Sequence, residues 1–139
     1  MSAARVREGI EKILLVDDYA GIAKVLRQML SQLGYHVISH TSSIEAFEDF
    51  KADPGKFDLV LTDFDMPKMN GDQLAQKIMA IRPSIPIIIN TGNSQNITAE
   101  MVKAIGIRGV LRKPNTVSKL ATMIRAVLDD TRTKEGVTT

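Results

Sequence analysis

Five short runs rich in valine, isoleucine and leucine, each followed by a stretch with helical apolar spacing, constrain this 139-residue chain more than any other feature. The runs occupy residues 12–17, 35–40, 57–62, 85–90 and 107–111. None alternates cleanly between apolar and polar positions, as a strand with one wet face would. Strands buried on both faces belong in a parallel sheet, and parallel neighbours need crossovers, which the intervening segments supply. Those segments read as helices over 19–33, from Ser42 onward, and over 72–81, 98–105 and 116–129. In the first, Ile22, Leu26, Met29 and Leu33 share a face, and Gly34 stands where a helix stops. Ser42 and Glu45 have capping-box spacing ahead of Ala46, Phe47 and Phe50. Asp53-Pro54-Gly55 reads as a turn. Residues 66–71 read as a loop, and 92–96 as a polar linker. The expected fold is α/β, a single doubly wound (βα)5 domain over residues 11–129 with a five-stranded parallel sheet. Residues 1–10 and 130–139 read as polar, flexible tails.

Composition narrows the chemistry. The chain has no cysteine, which removes disulfides, thiolate metal sites and a cysteine nucleophile together. Its longest apolar runs are too short to span a bilayer, so no membrane association and a cytoplasmic location are expected. A net charge of +2 alone argues only weakly for nucleic acid, and no direct nucleic-acid binding is expected. That total conceals a skew: residues 1–72 carry twelve acids and eight bases, residues 73–139 four acids and ten bases.

The acids explain their half of the skew. In an open sheet of order 2-1-3-4-5, ligands bind beyond the carboxyl ends of the strands, where the strand order reverses between the first and third. Asp17 and Asp18 end the first run and Asp63 ends the third, so three carboxylates should meet in one crevice. Thr91 and Gly92 follow the fourth run, and Lys113 follows the fifth. Three carboxylates carry −3, and one Lys113 ammonium with one Mg²⁺ brings the sum to zero. Hard oxygen ligands in a partly hydrated site suit Mg²⁺. A carboxylate nucleophile, a metal, a lysine and a hydroxyl together are the parts of a phosphoryl-transfer site.

The motifs Leu14-Leu-Val-Asp17-Asp18, Leu61-Thr-Asp63-Phe-Asp-Met66-Pro67-Lys-Met-Asn-Gly71, Thr91 and Lys113-Pro114 together resemble the receiver domain of two-component response regulators. The resemblance covers residues 11–129 and implies the flavodoxin-like sheet order familiar from the chemotaxis regulator. It implies Asp63 as the phospho-acceptor, charged by the phosphohistidine of a sensor histidine kinase or a histidine phosphotransfer protein. It implies Mg²⁺ on Asp18, Asp63 and the backbone carbonyl of Asp65, with Asp17 acting mainly through bound water. Lys113 would pair with the acyl phosphate, and the Thr91 hydroxyl would move to a phosphoryl oxygen as the switch. Such a domain catalyses its own phosphorylation and is a signalling module rather than an enzyme. Three positions depart from the family pattern: Val110 replaces the usual aromatic, Gly92 a commoner alanine, and Asn115 a familiar phenylalanine. The wording of the motifs is closest to receivers at the C-terminus of hybrid sensor kinases.

Each signal also has a plainer explanation. Asp17-Asp18 could cap a helix, Thr91 could be a loop hydroxyl, and His36 and His40 read as surface histidines. Asp63-Phe-Asp65 also resembles the nucleophile and acid of haloacid-dehalogenase-type phosphatases, and a receiver that is never phosphorylated would be an interaction module. Lys103, Arg108, Arg112 and Lys119 gather around the fourth helix, fifth strand and fifth helix. That surface is where receivers usually meet an output partner or a second copy of themselves.

Overall fold

The strands pair in parallel because each is short and separated from the next by a helix that carries the chain back across the sheet. The computed structural model describes residues 11–92 and 97–137, the last seven by backbone alone. Five strands, β1 (Lys12–Val16), β2 (His36–His40), β3 (Leu59–Asp63), β4 (Ile87–Thr91) and β5 (Gly109–Arg112), form one sheet in the order β2-β1-β3-β4-β5. All four pairings are parallel. Five helices connect or follow them: α1 (Ala20–Gln32), α2 (Ser43–Ala52), α3 (Gly71–Ile81), α4 (Ala99–Ile105) and α5 (Val117–Val137). The expected strand order and α/β class are both present.

Strand alternation divides the core in two. Leu14, Val16, Val60, Ile87 and Ile89 face α2, α3 and α4, where Phe50, Leu74 and Ile78 are fully buried. Ile13, Leu15, Leu59, Leu61, Ile88 and Leu111 face α1 and α5, against Leu26, Leu30, Leu120 and Ile124. Both faces are apolar, which is why the runs show no period of two.

Several boundaries shift for local reasons. The third run starts pairing at Leu59, because the Asp58 amide and carboxylate both clamp the backbone of Lys12, each at 2.8 Å. The fourth begins after Pro86, which has no N–H to give, and it extends to Thr91. The buried stripe of α1 is Ala23, Leu26 and Leu30 rather than the expected Ile22, Leu26, Met29 and Leu33. The small Ala23 sits against the sheet, leaving Ile22 and Val25 exposed. Ser42 caps α2 as expected, its hydroxyl accepting from the Glu45 amide at 3.2 Å. Helix α5 continues past the expected end at residue 129, so residues 130–137 are helical rather than a tail. No proline interrupts that stretch, and its one glycine is the second residue from the helix end. The expected tail residues 1–10, 138 and 139, and linker residues 93–96, lie outside the described residues.

Candidate functional site

The carboxyl ends of β1 and β3 project polar residues because the apolar runs stop there. Asp17 and Asp18 follow Val16, and Asp63 closes β3. Asp17 is 1% exposed and Asp63 is 6% exposed, which is rare for acids without a strong partner. One oxygen from each of Asp17, Asp18 and Asp63 lies within 4.8 Å of the other two. The three predicted carboxylates therefore meet in one crevice.

Local structure holds each in place. The Tyr19 amide donates to Asp17 Oδ1 at 3.0 Å, so Asp17 does steady the start of α1 while also belonging to the cluster. The Asp17 amide donates to the His40 carbonyl at 3.1 Å, linking the cluster to β2. His40 itself is half-buried and pairs with Asp49 at 2.9 Å, while His36 is exposed. The His40 hydrogen bond, with further help from Lys56, holds the Asp49 carboxyl below its ordinary value against a smaller opposing effect of burial. The Phe64 amide donates to Asp63 Oδ1 at 2.9 Å, and the Thr62 hydroxyl donates to the Asp63 carbonyl at 3.0 Å. Behind Asp63, the loop returns so closely that a Cβ on Gly71 would lie 2.2 Å from the Asp63 carbonyl oxygen. The Gly71 amide donates to the Phe64 carbonyl at 2.8 Å, and Met66 and Met69 bury themselves in the core. Residues 66–71 are thus a packed loop that fixes the acid above it.

Lys113 is the counter-charge. Its Nζ lies 3.1 Å from Asp17 Oδ2 and 3.3 Å from Asp63 Oδ1. Burial opposes its charge, but the carboxylates of Asp17 and Asp63 outweigh burial and hold its pKa above the ordinary lysine value. The backbone anchors the base of this side chain: the Lys113 amide donates to the Thr91 carbonyl at 2.8 Å. Thr91 is 1% exposed at the end of β4. Asp65 follows in the β3–α3 loop with an exposed side chain, apart from the three clustered acids.

The charges do not balance. Three carboxylates face one ammonium, an excess of −2 in a buried place. Burial first, then the neighbouring Asp17 and a hydrogen bond with Asp18, push the Asp63 carboxyl up to about 6, with Lys113 pulling the other way. Asp18 Oδ1 is buried with no hydrogen-bond partner. Surplus carboxylate charge with an orphaned oxygen fits a hard divalent cation held by oxygen ligands.

Sequence reasoning missed two things here. Asn90, next to Thr91, is 1% exposed with neither amide atom bonded, and the only signal was one polar residue interrupting Ile-Ile-Ile-Asn-Thr. A groove of about 410 Å³ beside Lys113, lined by Ile22, Val25, Met29, Pro114 and Asn115, depends on the rotated face of α1. Of the basic residues noted earlier, Lys103, Arg112 and Lys119 are exposed, and Arg108 lies 3.8 Å from Asp130. No helix among the described residues is long and apolar enough to cross a membrane.

Comparison with known proteins agrees with this geometry. The family model described as response regulator receiver domain matches residues 13–125. The transcriptional regulatory protein ZraR of Klebsiella oxytoca is 34% identical over 127 residues, which is 91% of this chain and 28% of that protein. The autoinducer 1 sensor kinase/phosphatase LuxN of Vibrio campbellii is 33% identical over 108 residues, 78% of this chain and 12% of that protein. The chain therefore spans under a third of the length of these relatives. Among solved structures, a receiver domain protein from Clostridium thermocellum superposes with a TM-score of 0.82 at 30% identity, covering 88% of this chain and 97% of that one. The response regulator TrrA of Thermotoga maritima, solved in complex with Mg²⁺-BeF, superposes with a TM-score of 0.76 at 26% identity, covering 84% of this chain and 98% of that one.

Proposed function

We propose that this chain, which belongs to the response regulator receiver domain family of two-component systems, accepts a phosphoryl group on Asp63 and passes the change to a partner. The observation that carries the reading is the charge imbalance at the carboxyl edge: three clustered carboxylates, one of them 6% exposed and raised to about 6, against a single ammonium. Mg²⁺, bound by Asp18, Asp63 and the Asp65 carbonyl with Asp17 behind a water, would neutralise the excess and stabilise charge on the phosphoryl oxygens. The solved complex of TrrA with Mg²⁺-BeF supports that choice of ion for this chain.

The chain's own residues supply the rest. Oδ1 of Asp63 accepts from the Phe64 amide, which leaves Oδ2 as the attacking atom. Oδ2 forms the new bond to phosphorus as the phosphorus–nitrogen bond of the donor phosphohistidine breaks, and the imidazole leaves with the bonding pair. Lys113 then pairs with the phosphoryl oxygens, and the Thr91 hydroxyl turns toward one of them. Val110 gives this second movement a smaller follower than the usual aromatic, and Gly92 leaves room above the phosphoryl group. The donor is a sensor histidine kinase or a histidine phosphotransfer protein, and the apolar groove between α1 and Pro114 lies beside Lys113, where a donor helix would bring its histidine. The exposed cations of α4, β5 and α5 suit an output partner or a second receiver. The compartment that fits is the cytoplasm, where ATP charges the donor. The family counts against the phosphatase reading, and the exposed Asp65 is poorly placed as a buried general acid.

Intact mass measurement after incubation with Mg²⁺ and a small acyl phosphate tests the reading. One phosphate adduct in the wild type, absent in Asp63→Asn, is expected. A wild-type protein without an adduct would leave an interaction module, and rapid turnover of a phosphate monoester would restore the phosphatase.

A further inference from the structure

We propose that the Asn90 carboxamide is a positioning group for Lys113, accepting its ammonium when a divalent cation takes Asp17 and Asp63 away from it. The inference rests on the receiver reading for the identity of that cation, and on this chain's own geometry for everything else.

Asn90 is anomalous where it stands. It is 1% exposed, and both Oδ1 and Nδ2 lack a partner, the only residue among those described with two such orphaned side-chain atoms. An unpaired buried amide costs free energy, and no protein group in the cation-free state returns it. The fold has no need of it, because Ile88, two residues earlier on the same face, packs with Leu61 and Leu111, and an apolar residue at 90 would extend that stripe.

The register shows what lies around it. Asn90 pairs with Asp63 on β3 and with Leu111 on β5, so β4 separates the phospho-acceptor from the strand that carries Lys113. Lys113 starts two residues beyond Leu111, yet its Nζ reaches Asp63 on β3 and Asp17 past β1. The side chain must therefore cross the end of β4. Gly92 marks the crossing: a Cβ placed there would lie 4.0 Å from Lys113 Cδ. Asn90 is on the same face, one pleat beneath that path.

A cation on Asp63, with Asp17 engaged through its water, repels an ammonium that occupies the same two carboxylates. Lys113 withdraws along its own stem toward β5, and Asn90 Oδ1 is the acceptor under that route. An ammonium has three donors, so one can stay on Asn90 while the others remain aimed at Asp63 and its phosphoryl group.

A double-mutant cycle on Mg²⁺ affinity, read by titration calorimetry, tests this. Asn90→Leu should weaken Mg²⁺ binding about three- to tenfold, and by less than about twofold when Lys113→Ala is already present. Metal-free Asn90→Leu should melt at or above the wild-type temperature, because an orphaned amide has gone. Equal losses in the two backgrounds, or no loss in the wild-type background, would overturn the role. If the leucine variant fails to fold, Asn90→Ser and Asn90→Val replace it. Serine keeps an acceptor and should bind Mg²⁺ better than valine, and equal binding by both overturns the role. A wild type that takes the acyl-phosphate adduct but shows additive mutations loses the Asn90 role alone. A wild type that binds no Mg²⁺ loses both it and the reading beneath it.

Discussion

The two ends of β1 hold buried charge in opposite ways. At the amino end, Glu11 is 5% exposed and meets Arg125 fork to fork, at 3.0 and 2.9 Å. The same guanidinium reaches Tyr35 Oη at 3.3 Å and Asp129 at 3.2 Å. At the carboxyl end, Asp17 and Asp63 share one ammonium beside Asp18, whose Oδ1, like the Asn90 amide, has no partner among the protein groups. The chain completes the first cluster from its own side chains. It leaves the second short of positive charge. A completed cluster ties α5 to the sheet, whereas an incomplete one holds free energy that only a ligand can release.

The largest effect should come from breaking the completed cluster. Arg125→Ala strands Glu11 without a cation and should cost about 3–5 kcal/mol, read as a fall in the urea midpoint. A midpoint within experimental error of wild type would show that Glu11 is solvated and would dissolve the contrast. At the other end the sign reverses. Without Mg²⁺ at pH 7.5, Asp63→Asn should stabilise the protein by about 1–3 kcal/mol, since it removes an acid whose folded pKa is raised. A destabilised Asn variant would mean that Asp63 is already neutralised by Lys113.

The pH dependence follows from the same shift. Asp63 titrates at about 6 in the folded chain, above its ordinary value of 3.8. Between those values the folded state holds a proton that the unfolded chain has lost, so this group's contribution to stability falls as pH rises. The advantage of Asp63→Asn should therefore grow from about pH 4 to about pH 6 and level off above, in metal-free denaturation curves. A flat difference would place the Asp63 pKa near 4 and remove the strain. The smallest effect concerns Lys113. Lys113→Ala should leave Mg²⁺ affinity unchanged or tighten it a few-fold, because the ammonium and the ion compete for Asp17 and Asp63. A tenfold loss in calorimetry would mean that Lys113 organises the metal ligands instead.

Much of this was legible in the chain. The α/β class follows from the apolar runs alternating with helical segments, and the convergence of Asp17, Asp18, Asp63 and Lys113 from the first, third and fifth runs ending in charged residues. The face of α1 was not legible, because Ile22, Ala23, Leu26, Met29 and Leu30 offer two overlapping stripes, and only packing against the sheet chooses Ala23. The end of α5 was missed because polar helix and polar tail share a composition. The bond between Arg125 and Glu11 joins residues 114 positions apart, and no local pattern announces it. Asn90 was visible as a polar letter in an apolar run, but its isolation needs the structure.

The most direct test is the unfolding free energy of the wild type and Asp63→Asn, each with and without saturating Mg²⁺. Without the ion the Asn variant should be the more stable. At about one hundred times the dissociation constant, the wild type should gain about 2.7 kcal/mol and draw level or overtake, while the variant gains much less. Equal gains in the two proteins, or none in the wild type, would contradict the claim that the carboxyl edge of the sheet is a site left incomplete for a cation.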